Sequence, residues 1–179
     1  MTMYFVALVL PEELNEEILK WKHYMHTRFQ CSVGLKSPAH ITLVPPFWLD
    51  EVKENSLFDD VKRIAGYHRP FCIETKNFSA FKPRTIFIDV AENEALTKLK
   101  HRIDLIFKNN ELYRVKIDDR PFHPHITIAT RDLFKKSFNE VWPIFEKERF
   151  EKKWEATGVS VLRHNKKNWD VIHTSQFLF

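Results

Sequence analysis

Glycine is scarce in this chain: three residues among 179. So few cannot supply a glycine-rich phosphate loop or a dinucleotide-binding fingerprint, and neither spacing is present. Cysteine is scarcer. Cys31 and Cys72 lie far apart and form no CxxC, which argues against a disulfide framework and a structural zinc cluster and fits a reducing cytoplasm. Long hydrophobic runs are missing as well. The run at residues 4–10 has no basic stretch before it and stops at Pro11, ahead of Glu12 and Glu13. That is too short for a signal peptide or a membrane span, so it reads as a buried strand of a cytoplasmic protein. Charge of one sign is not dominant either. Lys+Arg 28 against Asp+Glu 24 gives a formal +4, which permits a phosphate-bearing ligand without requiring one.

What the chain does have is core material. Sixteen Phe and five Trp within a 44% hydrophobic composition fill a sizeable interior, and the length fits one packed domain over residues 1–179. After the strand at 4–10, Pro11 with Glu12 and Glu13 opens a helix. Its stripe is Leu14, Ile18, Trp21, Met25 and Phe29. Residues 39–47 read as extended. Ser56 with Asp59 reads as a capping pair for a helix striped by Leu57, Val61 and Ile64. Strands are expected at 71–78 and 85–91 around Lys82-Pro83-Arg84, then a helix from Asn93. A strand at 113–117, an extended segment at 123–130 and a helix limited by Pro143 follow. Residues 146–153 read as a solvated connector, and 156–162 with 169–179 as a hairpin.

The two halves echo each other as strand, helix, histidine-bearing strand and helix. The marker is His40-Ile41-Thr42-Leu43, repeated as His125-Ile126-Thr127-Ile128. Side chains alternate faces along a strand, so each segment presents an imidazole and a hydroxyl on one face and apolar packing on the other. Two such pairs facing each other suit displacement at phosphorus. A neutral imidazole takes the proton of the attacking hydroxyl or water, and a protonated one gives a proton to the leaving oxygen. The hydroxyls of Thr42 and Thr127 bind the non-bridging oxygens, and no metal or cofactor is needed. The bland alternative is a pair of ordinary core or surface histidines, against which the matching alternation in both halves weighs.

The segments AHITLVPPF and FHPHITIATR, with the strand FKPRTIFIDV between them, resemble the 2H phosphoesterase superfamily. The nearest likeness is to its 2′-5′ RNA ligase-like, RNA 2′,3′-cyclic phosphodiesterase branch, and it extends over nearly the whole chain. The resemblance implies a bilobal α+β fold with a pseudo-twofold: two interleaved lobes, two antiparallel sheets around a central groove, helices outside. It places the catalytic pair on His40 and His125 and the phosphate ligands on Thr42 and Thr127, and Arg131, the basic residue directly after the second motif, is the third phosphate-binding candidate. It further implies hydrolysis of a 2′,3′-cyclic phosphate to a 2′-phosphate, with 2′-5′ ligation as the reverse. In the family order the first histidine protonates the leaving 3′ oxygen and the second activates water. The Pro45-Pro46 pair departs from the glycine common there in bacterial ligase-like members.

Other residues have readings of their own. His123 and His125 form a His-x-His pair of the kind that binds zinc, but no third ligand stands at a recognisable spacing. His173-Thr174-Ser175 is a near-miss assigned to the last strand. Lys82, Arg84 and Arg120 read more readily as solvated charges than as phosphate ligands. Phe47 continues an apolar run, and Phe122 and Trp48 flank the motifs; Trp48 is the candidate for base stacking. The expected partner is therefore an RNA end or a small cyclic nucleotide, with no membrane and a monomeric chain. The alternatives are a non-catalytic RNA- or nucleotide-binding protein that keeps the groove, or a structural protein in which the histidines are buried and self-satisfied.

Overall fold

A computed structural model describes residues 1–116 and 120–178. In chain order it runs β1 (Thr2–Val9), α1 (Glu12–Phe29), β2 (His40–Leu49), α2 (Glu54–Ala65), β3 (Phe71–Phe81), β4 (Thr85–Val90), α3 (Glu94–Asn109), β5 (His125–Ala129), α4 (Lys135–Phe145), β6 (Lys153–Ala156), β7 (Gly158–His164) and β8 (Trp169–Gln176). Two four-stranded sheets result, ordered β2-β1-β7-β8 and β5-β4-β3-β6. Every pairing is antiparallel. This is the α+β, bilobal architecture expected, and β1-α1-β2-α2 is mirrored by β4-α3-β5-α4.

The helices are exchanged between the sheets. α2 lies on β7 and β8, and α3 touches α2 and β2. Phe107 of α3 packs against Phe47 of β2 with ring centroids 5.8 Å apart. α1 crosses to the other sheet, where Trp21 meets Phe78 of β3 and Phe145 of α4, both at 5.1 Å. One continuous hydrophobic cluster thus draws on both sheets and all four helices. Local signals set the helix ends. Asn93 caps α3 by accepting from Leu96 N at 2.9 Å. α1 ends where Gln30 turns left-handed at φ 59°, and Cys31 N returns to Met25 O at 3.3 Å.

Several expectations are corrected. α2 starts at Glu54, so Ser56 is inside it rather than capping it. The helical run begins earlier because Asp50 accepts from Val52 N at 3.3 Å and caps a 3₁₀ turn at Glu51–Lys53. Residues 113–116 are not strand. Tyr113 is buried between Phe47 and Phe107 and donates to Asp60 Oδ2 at 2.6 Å, so its β-prone character serves packing instead. Ile117 and Phe179, the ends of two expected strands, lie outside the described residues. Residues 146–153 are not a free connector. Phe150 is buried, Asn77 N donates to its carbonyl at 3.1 Å and Thr75 N to that of Lys152 at 2.9 Å. Ala156 belongs to β6 on the second sheet, and the hairpin proper starts at Gly158.

Candidate active site

Both histidine-bearing strands are edge strands of their sheets, and Cα atoms of β2 and β5 approach within 8 Å. The edges sit in equivalent register. Val9 faces His40 and Ala7 faces Thr42 on the first sheet; Asp89 faces His125 and Phe87 faces Thr127 on the second. Ile41, Leu43, Ile126 and Ile128 are buried in the core, which fixes the alternation and turns the His and Thr side chains to the other face.

Each imidazole is oriented in the same way. His40 Nδ1 lies 2.7 Å from Pro38 O, and His125 Nδ1 lies 2.7 Å from His123 O. A carbonyl oxygen only accepts, so Nδ1 carries the hydrogen in both rings and Nε2 keeps its lone pair in the neutral form. Neither Nε2 nor the Thr42 or Thr127 hydroxyl is bonded within the chain among the described residues. Aromatic rings back both histidines: Phe5 at 4.8 Å from His40, Phe87 at 5.0 Å and Phe81 at 5.2 Å from His125. Burial holds both imidazoles below their ordinary value, His40 at about 4. The charge of Lys22 and that of His125 push His40 further down, against the Pro38 hydrogen bond. At His125 the His123 hydrogen bond and the Asp89 carboxylate oppose the fall, while His123 adds to it. Both rings are accordingly neutral at pH 7 in the ligand-free protein.

The remaining expected residues fall as follows. Trp48 pairs with Met3, on the face of β1 that also carries Ala7 and Val9, and is 56% exposed. Four residues of strand put it about 13 Å from Thr42. Arg131 stands on an exposed turn beyond β5 at φ 60°, outside the strand alternation that carries Thr127. His123 Nε2 bonds Asp89 Oδ1 at 2.8 Å. Phe47 is core, whereas Phe122 lies under Lys100 Nζ at 5.4 Å, and Lys82 sits over Trp142. His173 is stacked on Phe58 at 4.4 Å beneath α2, away from the groove. Pro45 and Pro46 are tolerated because β2 is an edge: the ladder with β1 skips them through a register shift.

Sequence reasoning missed the small apolar cluster beside His40, formed by Phe5, Ala7 and Leu162 with Val9 and Trp169. The unbroken apolar run at 4–10 was its signal, since a strand buried on both faces reads that way. It also missed Lys22 and Asp89. A cavity of about 320 Å³ lined by Lys36, Ser37, Pro38 and Trp169, among others, abuts the loop that holds His40. A larger one of about 730 Å³ lies elsewhere, between Tyr67–Phe71 and one face of α3, and shares no residue with the two motifs.

The sequence matches the family model of the 2′-5′ RNA ligase superfamily over residues 10–168. An inferred phosphoesterase of Halalkalibacterium halodurans is 36% identical over 95 residues, 51% of this chain and 52% of that one, so the chain spans about half the length of that relative. The RNA 2′,3′-cyclic phosphodiesterase of Bacillus subtilis is 25% identical over 142 residues, 72% of this chain and 70% of that one. Among solved structures, Escherichia coli LigT complexed with 3′-AMP superposes with a TM-score of 0.65 at 15% identity, covering 99% of both chains. With 159 residues in the matched span, 10 through 168, and the fold in agreement, the chain belongs to the 2′-5′ RNA ligase superfamily of 2H phosphoesterases.

Proposed function

We propose that this protein hydrolyses a terminal 2′,3′-cyclic phosphate of RNA to a 2′-phosphate without a metal ion, and that with a 5′-hydroxyl in the place of water the same displacement forms a 2′-5′ linkage. The observation that carries the reading is the symmetric pair of imidazoles. Each is tied at Nδ1 to a backbone carbonyl, and among the described residues each has no partner at Nε2 and an unbonded threonine hydroxyl two residues on. The relative from Bacillus subtilis, named for this activity, supports the substrate class, as does the 3′-AMP held by LigT.

Water attacks phosphorus, and one Nε2 takes its proton. The bond from phosphorus to the 3′ oxygen breaks, and the other Nε2, protonated, gives its proton to that oxygen. The phosphate stays on the 2′ oxygen. Thr42 and Thr127 donate to the non-bridging oxygens, where charge builds up. An arriving phosphate anion raises the pKa of both imidazoles, so the substrate itself brings the acid into its working form. Trp48 stacks on a base further along the strand, and Arg131 adds positive charge at the far end of β5. Both motifs lie on one chain, which supports a monomer as the working unit.

The test is incubation in EDTA with an oligoribonucleotide ending in a 2′,3′-cyclic phosphate, followed by analysis of the new end. A 2′-phosphate is expected, with Thr42→Ala and Thr127→Ala each losing roughly 10-fold or more. A 3′-phosphate, or binding without turnover, would overturn the reading.

A further inference from the structure

The larger cavity, about 730 Å³, shares no residue with the two motifs. One of its walls is the turn between α2 and β3. Tyr67 N and His68 N return to Ile64 O and Ala65 O at 3.1 and 3.0 Å as α2 ends, and Pro70 leads the chain into β3 at Phe71. Leu178 N donates to His68 O at 2.9 Å, and Phe177 stacks on Phe71 with centroids 5.7 Å apart. The wall is thus pinned by the residues that follow β8, the edge strand opposite β2. The other wall is α3. Its core stripe is Leu96, Leu99, Ile103 and Phe107, while Ala95, Lys98, Arg102 and Leu105 recur at helical spacing along the cavity. That second stripe is about 15 Å long, and the volume lies within the range of about 300–1,000 Å³ typical of small-molecule sites.

The lining is cationic and aromatic together. Arg69, Lys98, His101 and Arg102 face the cavity, and among the described residues no carboxylate does. Lys98 is bridged to Glu94 at 2.6 Å with both groups in solvent, where such a pair holds weakly. Arg69, His101 and Arg102 are in no ion pair among the described residues. The Arg102 guanidinium lies over one face of Tyr67 at 4.3 Å. The phenol is 66% exposed, so its other face is open to a second flat group. His68 belongs to the same wall, and burial, then the charge of Arg102, hold its imidazole below the ordinary value. Its Nε2 is buried without a hydrogen bond among the described residues, an unpaired atom of the kind a bound polar group satisfies.

We propose that this cavity is a binding site of its own, for a nucleoside phosphate: the base stacks on the open face of Tyr67, and Arg69 and Arg102 take the phosphate. Aromatic faces beside unpaired cations are what base stacking and phosphate binding require together. A bare anion leaves Tyr67, Phe71 and Leu105 in water, and an apolar ligand leaves the cations without a partner. The nucleotide is a free one or a unit of an RNA chain, since both present the same base and phosphate. The site is independent of the cyclic phosphodiesterase reading and touches none of its reacting atoms.

The experiment is an NMR titration of the ¹⁵N-labelled protein with 5′-AMP. It is run on the wild type and on the His40→Gln, His125→Gln double variant, which lacks the motif imidazoles. Saturable amide shifts are expected at residues 67–71 and 95–105 in both proteins. Arg69→Gln and Arg102→Gln should each weaken this binding roughly 10-fold or more, and Tyr67→Ala roughly 5-fold or more. All three side chains are exposed, so the fold is retained. Adenosine and inorganic phosphate, each half of the ligand, should bind more weakly than AMP. A short oligoribonucleotide with a 3′-hydroxyl end separates the sources: tighter binding than AMP at the same amides assigns the site to RNA, and binding no tighter assigns it to a free nucleotide. Shifts confined to β2 and β5, shifts lost in the double variant, or midpoints indifferent to the three substitutions would overturn the proposal. So would a glutamate-rich peptide that binds at these amides as tightly as AMP.

Discussion

His40 and His125 each have Nδ1 held by a backbone carbonyl, which leaves Nε2 as the nitrogen available for the proposed chemistry. Because Nδ1 of both rings is committed to a backbone carbonyl, their behaviour in acid follows. Both are held below the ordinary histidine value, His40 at about 4, whereas the unfolded chain protonates them near 6.5. Above about pH 6.5 neither state takes up the proton and nothing is lost. For His40, between about 6.5 and 4 the unfolded chain takes it first, so stability falls as pH drops, and His125 contributes in the same direction. His40→Gln removes that proton, and its urea midpoint should decline less steeply than the wild type's between pH 6.5 and 5; equal slopes would contradict the burial of an uncharged imidazole. The histidines and threonines were legible in the sequence because a period-two alternation at both motifs fixes the face of each side chain. Lys22 was not. A lysine on an apolar helical stripe ordinarily extends its amine to water, and only the chain returning at Ser37 encloses this one.

Among the elements, the 3₁₀ turn at Val33–Lys36 carries more than its four residues suggest. Asp132, beyond β5, accepts from Ser32 N at 2.6 Å and Val33 N at 2.9 Å, so the turn straps the end of one histidine strand to the loop that feeds the other. A Cβ on Gly34 would stand 2.3 Å from the Ile128 carbonyl oxygen, a backbone atom that cannot swing aside. Gly34→Ala should therefore cost about 1–3 kcal/mol of stability and lower turnover as well, because the shifted turn drags Ser37 and Pro38. Unchanged stability by urea titration would show that the strands separate more easily than this packing implies. Strand and helix types were readable from periodicity nearly throughout. Failures came where tertiary contacts overrode local preference: Tyr113 used as core rather than strand, and residues 150–152 recruited to the edge of β3.

At the scale of the molecule, the two motif strands belong to two sheets whose helices are exchanged, so the candidate site depends on the whole fold. The repeat in the sequence implied two lobes, but nothing in periodicity tells which helix covers which sheet; that depends on long-range packing such as Trp21 against Phe78 and Phe145. An anion bound between the lobes favours protonated imidazole, so binding takes up a proton and tightens as pH falls. Sulfate, which does not itself titrate in this range, should raise the melting temperature more at pH 6 than at pH 8, and the difference should vanish in His40→Gln with His125→Gln. A pH-independent shift would place the anion elsewhere. The most direct test of the paired mechanism is the single-turnover rate on a terminal 2′,3′-cyclic phosphate for His40→Ala, His125→Ala and the double variant. Two groups that act as a unit predict a loss of at least ~10²-fold in each single variant and little further loss in the double; substantial activity surviving either substitution would contradict it.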